Sequence, residues 1–83
     1  MYDLRIQRQA IKDITNLPKD YTRLVSGYIE KLAENPRPIG AKRLRGRTDY
    51  SLRVGTYRIL YGIDDEERIV IVYRVKHRRE AYR

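Results

Sequence analysis

The chain has 83 residues and a net charge of +8, enough for one domain with one modest hydrophobic core. The charge comes mostly from arginine, with 14 Arg against 5 Lys, and it indicates nucleic acid or another anionic partner. The sequence contains no apolar run of about 18 residues, the length that spans a bilayer, and no signal-peptide pattern. No contact with a membrane is therefore predicted, and these features are consistent with a cytoplasmic location. Without cysteine and with one histidine, the sequence predicts no disulfide, no zinc site and no cofactor.

A short strand and a short helix are predicted at the N-terminus. Apolar and polar residues alternate from Tyr2 to Ile6, as in a half-buried strand. Apolar residues three apart then predict a helix that ends near Leu17. Pro18 either stops this helix or opens the next one, because proline suits the first helical turn.

A longer second helix follows. Its apolar stripe, interpreted as core, comprises Tyr21, Leu24, Val25, Tyr28, Ile29 and Leu32. The helix should end near Glu34, because Asn35 precedes Pro36 and proline disfavours helix in the residue before it. The two helices together predict a hairpin that needs a sheet to cover its buried faces.

A basic segment joins the helices to the rest of the chain. It contains Lys42, Arg43, Arg45 and Arg47. Residues 37–83 hold 13 basic and 6 acidic residues, against 6 and 5 in residues 1–36. Because the segment leads into the next strand, either as a short strand or as an extended arm, we predict one continuous basic surface that contacts an RNA or DNA backbone. A solvated loop is the alternative.

A hairpin with two arginines comes next. Apolar residues alternate from Tyr50 to Val54 and again from Tyr57 to Ile63, with a two-residue Gly55-Thr56 turn between them. This register places Arg53 opposite Arg58 on one face, where like charges repel. Because the planar donor fork of arginine matches phosphate, the pair predicts a phosphate-bearing ligand. Two solvated arginines splayed apart are the alternative.

The chain then predicts an acidic turn, a buried strand and a basic tail. The turn spans 64–67, and the strand after it, apolar on both faces for four residues, should lie inside the sheet. In the tail, His77 has an unperturbed pKa near neutrality and Tyr82 could stack on a base. The tail could equally be solvated.

In their order and spacing, these motifs resemble the RelE/ParE toxin superfamily, in particular the RelE-type mRNA interferases. The strings that carry the resemblance are Asn35-Pro36-Arg37-Pro38, Leu44-Arg45-Gly46, Tyr57-Arg58-Ile59-Leu60-Tyr61, Asp64-Asp65-Glu66 and His77-Arg78-Arg79-Glu80-Ala81-Tyr82. The resemblance covers almost the whole chain. It implies a single α+β domain over 1–83, with a small antiparallel sheet of about four strands and an N-terminal helical hairpin packed on one face.

The resemblance also implies a function. Such a protein is the toxin of a type II toxin–antitoxin pair, cleaving messenger RNA in the ribosomal A site without metal. The RNA 2′-hydroxyl attacks a phosphate held by arginines. A RelB-like antitoxin encoded beside the toxin keeps it inactive, and operator DNA is contacted only through that antitoxin.

By resemblance, four residues match positions that serve in the family: Arg53, Arg58, Arg78 and Tyr82. Family members often have a basic residue where this chain has Ser51, so the general base is an open question. His77 is our choice on pKa grounds, with Lys42 or Arg45 as substitutes. The residues expected to contact RNA are Lys42, Arg43, Arg45, Arg47 and Ser51.

Two other functions stay open. A ParE-like toxin would poison DNA gyrase through protein contacts. A basic module without enzymatic activity would dock an acidic antitoxin or DNA. The shortness of the chain and its ending, with His77, Arg78 and Tyr82, favour the RelE-type function.

Overall fold

A computed structural model of the chain describes residues 1–44 and 49–79. The elements are β1 (Asp3–Ile6), α1 (Arg8–Thr15), α2 (Lys19–Glu34), β2 (Ala41–Arg43), β3 (Asp49–Val54), β4 (Tyr57–Asp64) and β5 (Ile69–His77). The predicted α+β class with an N-terminal helical hairpin is confirmed. Three predicted site residues lie outside the described residues: Arg45, Arg47 and Tyr82.

The five strands form one mixed sheet in the order β1-β5-β4-β3-β2. The pairs from β2 to β5 are antiparallel, whereas β1 lies parallel to β5. The prediction of about four antiparallel strands therefore has one strand too few, and it did not include the parallel direction of β1. β5 lies inside the sheet as predicted where β1 covers it, which is from Ile69 to Val72.

Helix boundaries follow the proline signals. α1 ends at Thr15, two residues before the predicted end, and Pro18 is the N-cap of α2. α2 ends at Glu34, as predicted. Neither helix in the described part of the chain is long and apolar enough to cross a bilayer.

The core lies between the helices and one face of the sheet, here called the helix face. Its buried members are Ala10, Val25, Ile29, Leu32, Leu52, Val54, Ile59, Tyr61, Val70, Val72 and Val75. Tyr61 donates a hydrogen bond to the Pro36 carbonyl at 2.7 Å, and burial raises its pKa to about 12. Leu24 and Tyr28 are 47% and 38% exposed, so the interpretation of the whole α2 stripe as core is wrong. The stripe is wider than the surface that the sheet covers.

The β3–β4 turn packs on the start of α2. Gly55 has a φ of +60°, and a Cβ atom there would lie 2.7 Å from the Tyr21 hydroxyl. The ring of Tyr21 meets that of Tyr57 edge-on, with centroids 4.8 Å apart. These contacts fix the predicted two-residue turn, and with it the arginine hairpin, against the helices.

Candidate functional site

Three cations line up across neighbouring strands on the face opposite the helices, here called the arginine face. Arg53 of β3 pairs with Arg58 of β4, as the turn predicted, and Arg58 pairs with Lys76 of β5. Directly paired residues point to the same side of a sheet, and neighbouring strands lie about 4.8 Å apart. We call these three residues the cation row.

Lys76 was missed by sequence reasoning. Its partner on β4 depends on the β4–β5 register, which shifts at Leu60/Tyr61, and the residue types alone do not reveal such a bulge. One signal was available, because Lys76 follows the buried Val75 and strand alternation places it on the opposite face.

The members of the row differ in how they are held. Arg58 is only 9% exposed, so the alternative of two solvated arginines does not hold for it. Arg53 is exposed, and its Nε donates to the Gly55 carbonyl at 3.2 Å. Lys76 is half-buried. The row therefore combines one enclosed guanidinium with two cations that solvent reaches.

Ser51 and Lys42 pair with each other beside the row, so both belong to the arginine face. Lys42 is exposed. Ser51 is only 2% exposed, and its hydroxyl has no hydrogen-bond partner among residues 1–44 and 49–79. The structure thus places Ser51 next to the row but encloses it between β2 and β4.

Arg43 lies on the other side of the sheet. It pairs with Tyr50, whose ring stacks on Tyr61 of the helix face. There it lines a hollow of about 260 Å³ together with Arg37 and Asp65, which form a 2.8 Å ion pair. The prediction of one continuous basic surface is therefore wrong for Arg43, because successive residues of a strand point to opposite faces.

His77 is also separated from the cation row. It pairs with Tyr57 on the helix face, and the two rings meet edge-on at 5.5 Å. Its Nδ1 accepts a hydrogen bond from the Arg79 backbone N–H at 3.3 Å. The structure therefore does not bring His77 together with Arg53 and Arg58, because it follows Lys76 by one residue in the strand.

Arg78 begins the tail beside the arginine hairpin. Its backbone N–H donates to the Thr56 carbonyl at 2.6 Å, and its side chain is exposed. The bond ties the end of β5 to the turn between Arg53 and Arg58. Arg78 is thus held at the same end of the sheet as the cation row.

Arg74 is engaged elsewhere. Its Nε donates to Asp13 Oδ2 at 2.8 Å, and the same oxygen accepts the Val75 backbone N–H at 2.9 Å. Burial disfavours the ionised form of Asp13, but these bonds and one from Gln9 hold its pKa below the ordinary value. This pair fastens α1 to the β5 edge.

The far end of the arginine face is acidic. A hollow of about 500 Å³ is lined there by Asp49, Gly62, Ile63, Asp64, Asp65, Glu66, Ile71 and Tyr73. Asp64 lies six residues beyond Arg58 on β4, which is about 20 Å along a strand. Positive and negative groups therefore occupy opposite ends of one sheet face.

The cation row is suited to holding a phosphate. A guanidinium presents a rigid fork of donors that matches phosphate oxygens, and an ammonium adds a compact charge. An anion above the row would also offset the repulsion between the paired cations. The arrangement can stabilise negative charge that develops on a bound phosphate.

Known proteins are similar to this chain in sequence and in fold. Residues 4–82 match the family described as the ParE toxin of type II toxin-antitoxin systems, parDE. Toxin RelG of Mycobacterium tuberculosis is 38% identical over 88 positions that span 99% of this chain and 97% of the relative. The putative toxin RelE1 of Methanocaldococcus jannaschii is 30% identical over 86 positions, spanning 99% and 96%.

The fold agrees with a solved structure. The toxin–antitoxin complex RelBE2 of Mycobacterium tuberculosis contains a chain with a TM-score of 0.82 and 36% identity, which covers 93% of this chain and 98% of that one. Family match, relatives and fold all span nearly the full described length. The chain therefore belongs to the ParE toxin family of type II toxin–antitoxin systems, within the RelE/ParE superfamily.

Proposed function

We propose that this toxin is an endoribonuclease that cleaves messenger RNA bound in the ribosomal A site. The observation that carries the proposal is the cation row, in which Arg53, Arg58 and Lys76 meet on three adjacent strands. The similarity to proteins named RelE and RelG supports it. RNA supplies its own nucleophile, so the protein needs chiefly to align and neutralise the phosphate.

In this reaction the 2′-oxygen forms a bond to phosphorus while the bond from phosphorus to the 5′-oxygen breaks. The products are a 2′,3′-cyclic phosphate and a 5′-hydroxyl, and the proton lost by the 2′-hydroxyl is balanced by the one gained by the 5′-oxygen. Negative charge builds on the phosphate oxygens in between. Arg58 would meet this charge from a fixed position, with Arg53 and Lys76 on either side.

The tail completes the proposed site. Arg78, tied to the turn through Thr56, would approach the phosphate from the end of β5. Tyr82 would stack on or orient a nucleotide, as the family resemblance implies. His77 cannot act on the same phosphate from the helix face, so the role of general base is not assigned to it.

We also propose a RelB-like antitoxin as partner. The solved relative from Mycobacterium tuberculosis is a complex of toxin and antitoxin. With a net charge of +8, the present chain would favour an antitoxin segment that is acidic and folds on binding. Operator DNA would be reached only through that antitoxin.

The test is a translation extract to which the purified toxin is added, with cut sites mapped on the message. Arg58→Lys keeps the charge but loses the donor fork, and we expect cleavage to fall by about 100- to 1000-fold. Arg23→Lys, the same substitution at an exposed position of α2, is the matched control and should cut like the wild type.

The same preparation tests the second candidate, which the ParE description of the family favours. DNA breaks that require gyrase, without cuts in RNA, would replace the endoribonuclease proposal with gyrase poisoning. Codon-dependent cuts that persist in Arg58→Lys at wild-type rate would contradict the role of the cation row.

A further inference from the structure

A third hollow lies beside the cation row, where the outer edge of β5 meets the C-terminal end of α1. β1 covers that edge only as far as Val72, which leaves a space of about 300 Å³ beyond it. Its lining includes Asn16, Leu17, Tyr57, Val75, Lys76 and His77. Small-molecule sites range from roughly 300 to 1,000 Å³, so this space suits one flat ring system.

The hollow is preformed. Asp13 holds its wall together, because one carboxylate oxygen accepts both Arg74 Nε at 2.8 Å and the Val75 N–H at 2.9 Å. α1 is thereby fixed at the edge of β5. A ligand that enters therefore does not have to order the wall first.

The lining offers both flat apolar contacts and hydrogen bonds. Tyr57 and His77 contribute rings, and Leu17 contributes an aliphatic surface. Because His77 Nδ1 accepts the Arg79 N–H, Nε2 carries the proton of the neutral ring and is a donor. The amide of Asn16 adds a donor and an acceptor, and it makes no side-chain hydrogen bond within 1–44 and 49–79.

The hollow adjoins the cation row through one residue. Lys76 ends the row, where it pairs with Arg58, and it also lines the hollow. A phosphate on the row would therefore lie beside the hollow. The base of an adjoining nucleotide would reach this space over the part of the β5 edge that β1 leaves uncovered.

We propose that this hollow is a nucleobase subsite of the RNA substrate and that Asn16 reads the base. Proteins recognise unstacked RNA bases by ring contacts combined with hydrogen bonds to the base edges. An amide pairs in bidentate fashion with adenine N6 and N7, and adenine still has ring acceptors for the His77 donor. Adenine is therefore the preferred base. This subsite rests on the proposed endoribonuclease function.

The single histidine makes the subsite directly observable. Because His77 is the only one in the chain, its imidazole C–H signal in NMR spectra is unambiguous. AMP, GMP, CMP and UMP are titrated separately into the intact protein, with inorganic phosphate as the reference for charge alone. We expect a saturable shift of the His77 signal at the lowest concentration with AMP.

Variants separate the subsite from the cation row. Asn16→Ala should weaken the AMP effect by about tenfold, within the discrimination that a bidentate amide–adenine contact gives. Asn35→Ala removes the other asparagine, which lies outside the hollow, and should bind AMP like the wild type. Because Asn35 Oδ1 accepts the Arg37 N–H at 3.2 Å, the melting temperature of this control is measured alongside. In mapped messages, Asn16→Ala should reduce adenine enrichment beside the cut, whereas Arg58→Lys should lower cutting at all sites.

The outcomes are distinct from those for the endoribonuclease function. If no message is cut but AMP moves the His77 signal and Asn16→Ala abolishes this, the subsite stands and the endoribonuclease proposal falls. If messages are cut but no nucleotide shifts the signal beyond phosphate alone, the subsite is overturned. A signal that responds only to an added antitoxin peptide would likewise overturn it and assign the hollow to a protein partner.

Discussion

Arg58 is both a site residue and an enclosed one, with 9% of its surface exposed. Removing a guanidinium from water costs free energy, and proteins bury one only where neighbouring groups compensate for the lost hydration. The compensation is rigidity, because a side chain already held in place loses little freedom when it binds a phosphate. Because truncating this enclosed side chain would also disturb the fold, Arg58→Lys tests its role better than Arg58→Ala.

Ser51 is also buried, but its side chain is expected to lower the stability of the fold. Its hydroxyl is buried and has no hydrogen-bond partner within the described parts of the chain. A buried polar group left in this state costs about 1–3 kcal/mol. We therefore predict that Ser51→Ala raises the free energy of unfolding by about 1 kcal/mol, measured by urea titration, and leaves RNA cleavage unchanged. A loss of cleavage without loss of stability would instead support the predicted RNA contact of Ser51.

At the scale of elements, the arginine hairpin depends on its glycine. Gly55 adopts a left-handed φ of +60° directly against the Tyr21 hydroxyl. We predict that Gly55→Ala lowers stability by at least about 1–2 kcal/mol, the cost of a Cβ in this conformation. Melting should fall by several degrees, since about 1 kcal/mol corresponds to roughly 4–8 °C in a domain of this size.

Another glycine provides the control. Gly27 lies inside α2, and a Cβ there would meet no atom within 4 Å. Gly27→Ala should therefore raise stability by up to about 1 kcal/mol through helix propensity. Equal effects of the two substitutions would contradict the role assigned to the turn.

The link between α1 and β5 should be sensitive to acid. The folded state lowers the pKa of Asp13, so its contribution is complete above the unfolded value of about 3.9 and is lost as pH falls through the lower folded value. At neutral pH we predict that Asp13→Asn costs about 1.5 kcal/mol, the low end for charged hydrogen bonds, because Arg74 is 37% exposed.

Chemical denaturation across the acid range checks this sign. The difference between wild type and Asp13→Asn should be largest at neutral pH and should shrink below about pH 4. Asp20→Asn, on an exposed position of α2, is the surface control and should change stability by no more than about 0.5 kcal/mol. A difference that is constant with pH would remove the ionised carboxylate from the explanation.

Sequence signals that act over a few residues predicted the helices, strands and turns well. Features that depend on the pairing of distant strands were predicted less well. Pro36 ended α2 at Glu34, and Gly55-Thr56 set the register of Arg53 and Arg58, because caps and turns act over a few residues. The parallel direction of β1 and the pairing of Lys76 depend on strands far apart in the chain. Alternation from Val75 would have placed His77 on the face opposite Lys76, but the prediction followed its residue type instead.

At the scale of the whole molecule, the cation row should set the salt dependence of RNA binding. For single strands, the logarithm of the binding constant falls by about 0.7 per phosphate contact for each tenfold rise in salt. Three cations that each pair with a different phosphate, the scissile one and its two neighbours, predict a slope near −2. Lys76→Gln should reduce its magnitude by about 0.7, and Arg23→Gln should leave it unchanged.

Fluorescence anisotropy between 50 and 200 mM salt, with a 2′-O-methylated oligoribonucleotide that cannot be cleaved, measures these slopes. Equal losses in Lys76→Gln and Arg23→Gln would mean that RNA senses only the net charge. A slope near zero in the wild type would show that binding is chiefly apolar.

The acidic hollow at the far end of the arginine face has a consequence for approach to the substrate. With cations at one end of β4 and carboxylates about 20 Å away at the other, the arginine face has an electric dipole along the strand. In the field of a polyanion this dipole experiences a torque before any contact forms. The toxin would then arrive turned with its hairpin end first, and fewer encounters would be wasted on the wrong orientation.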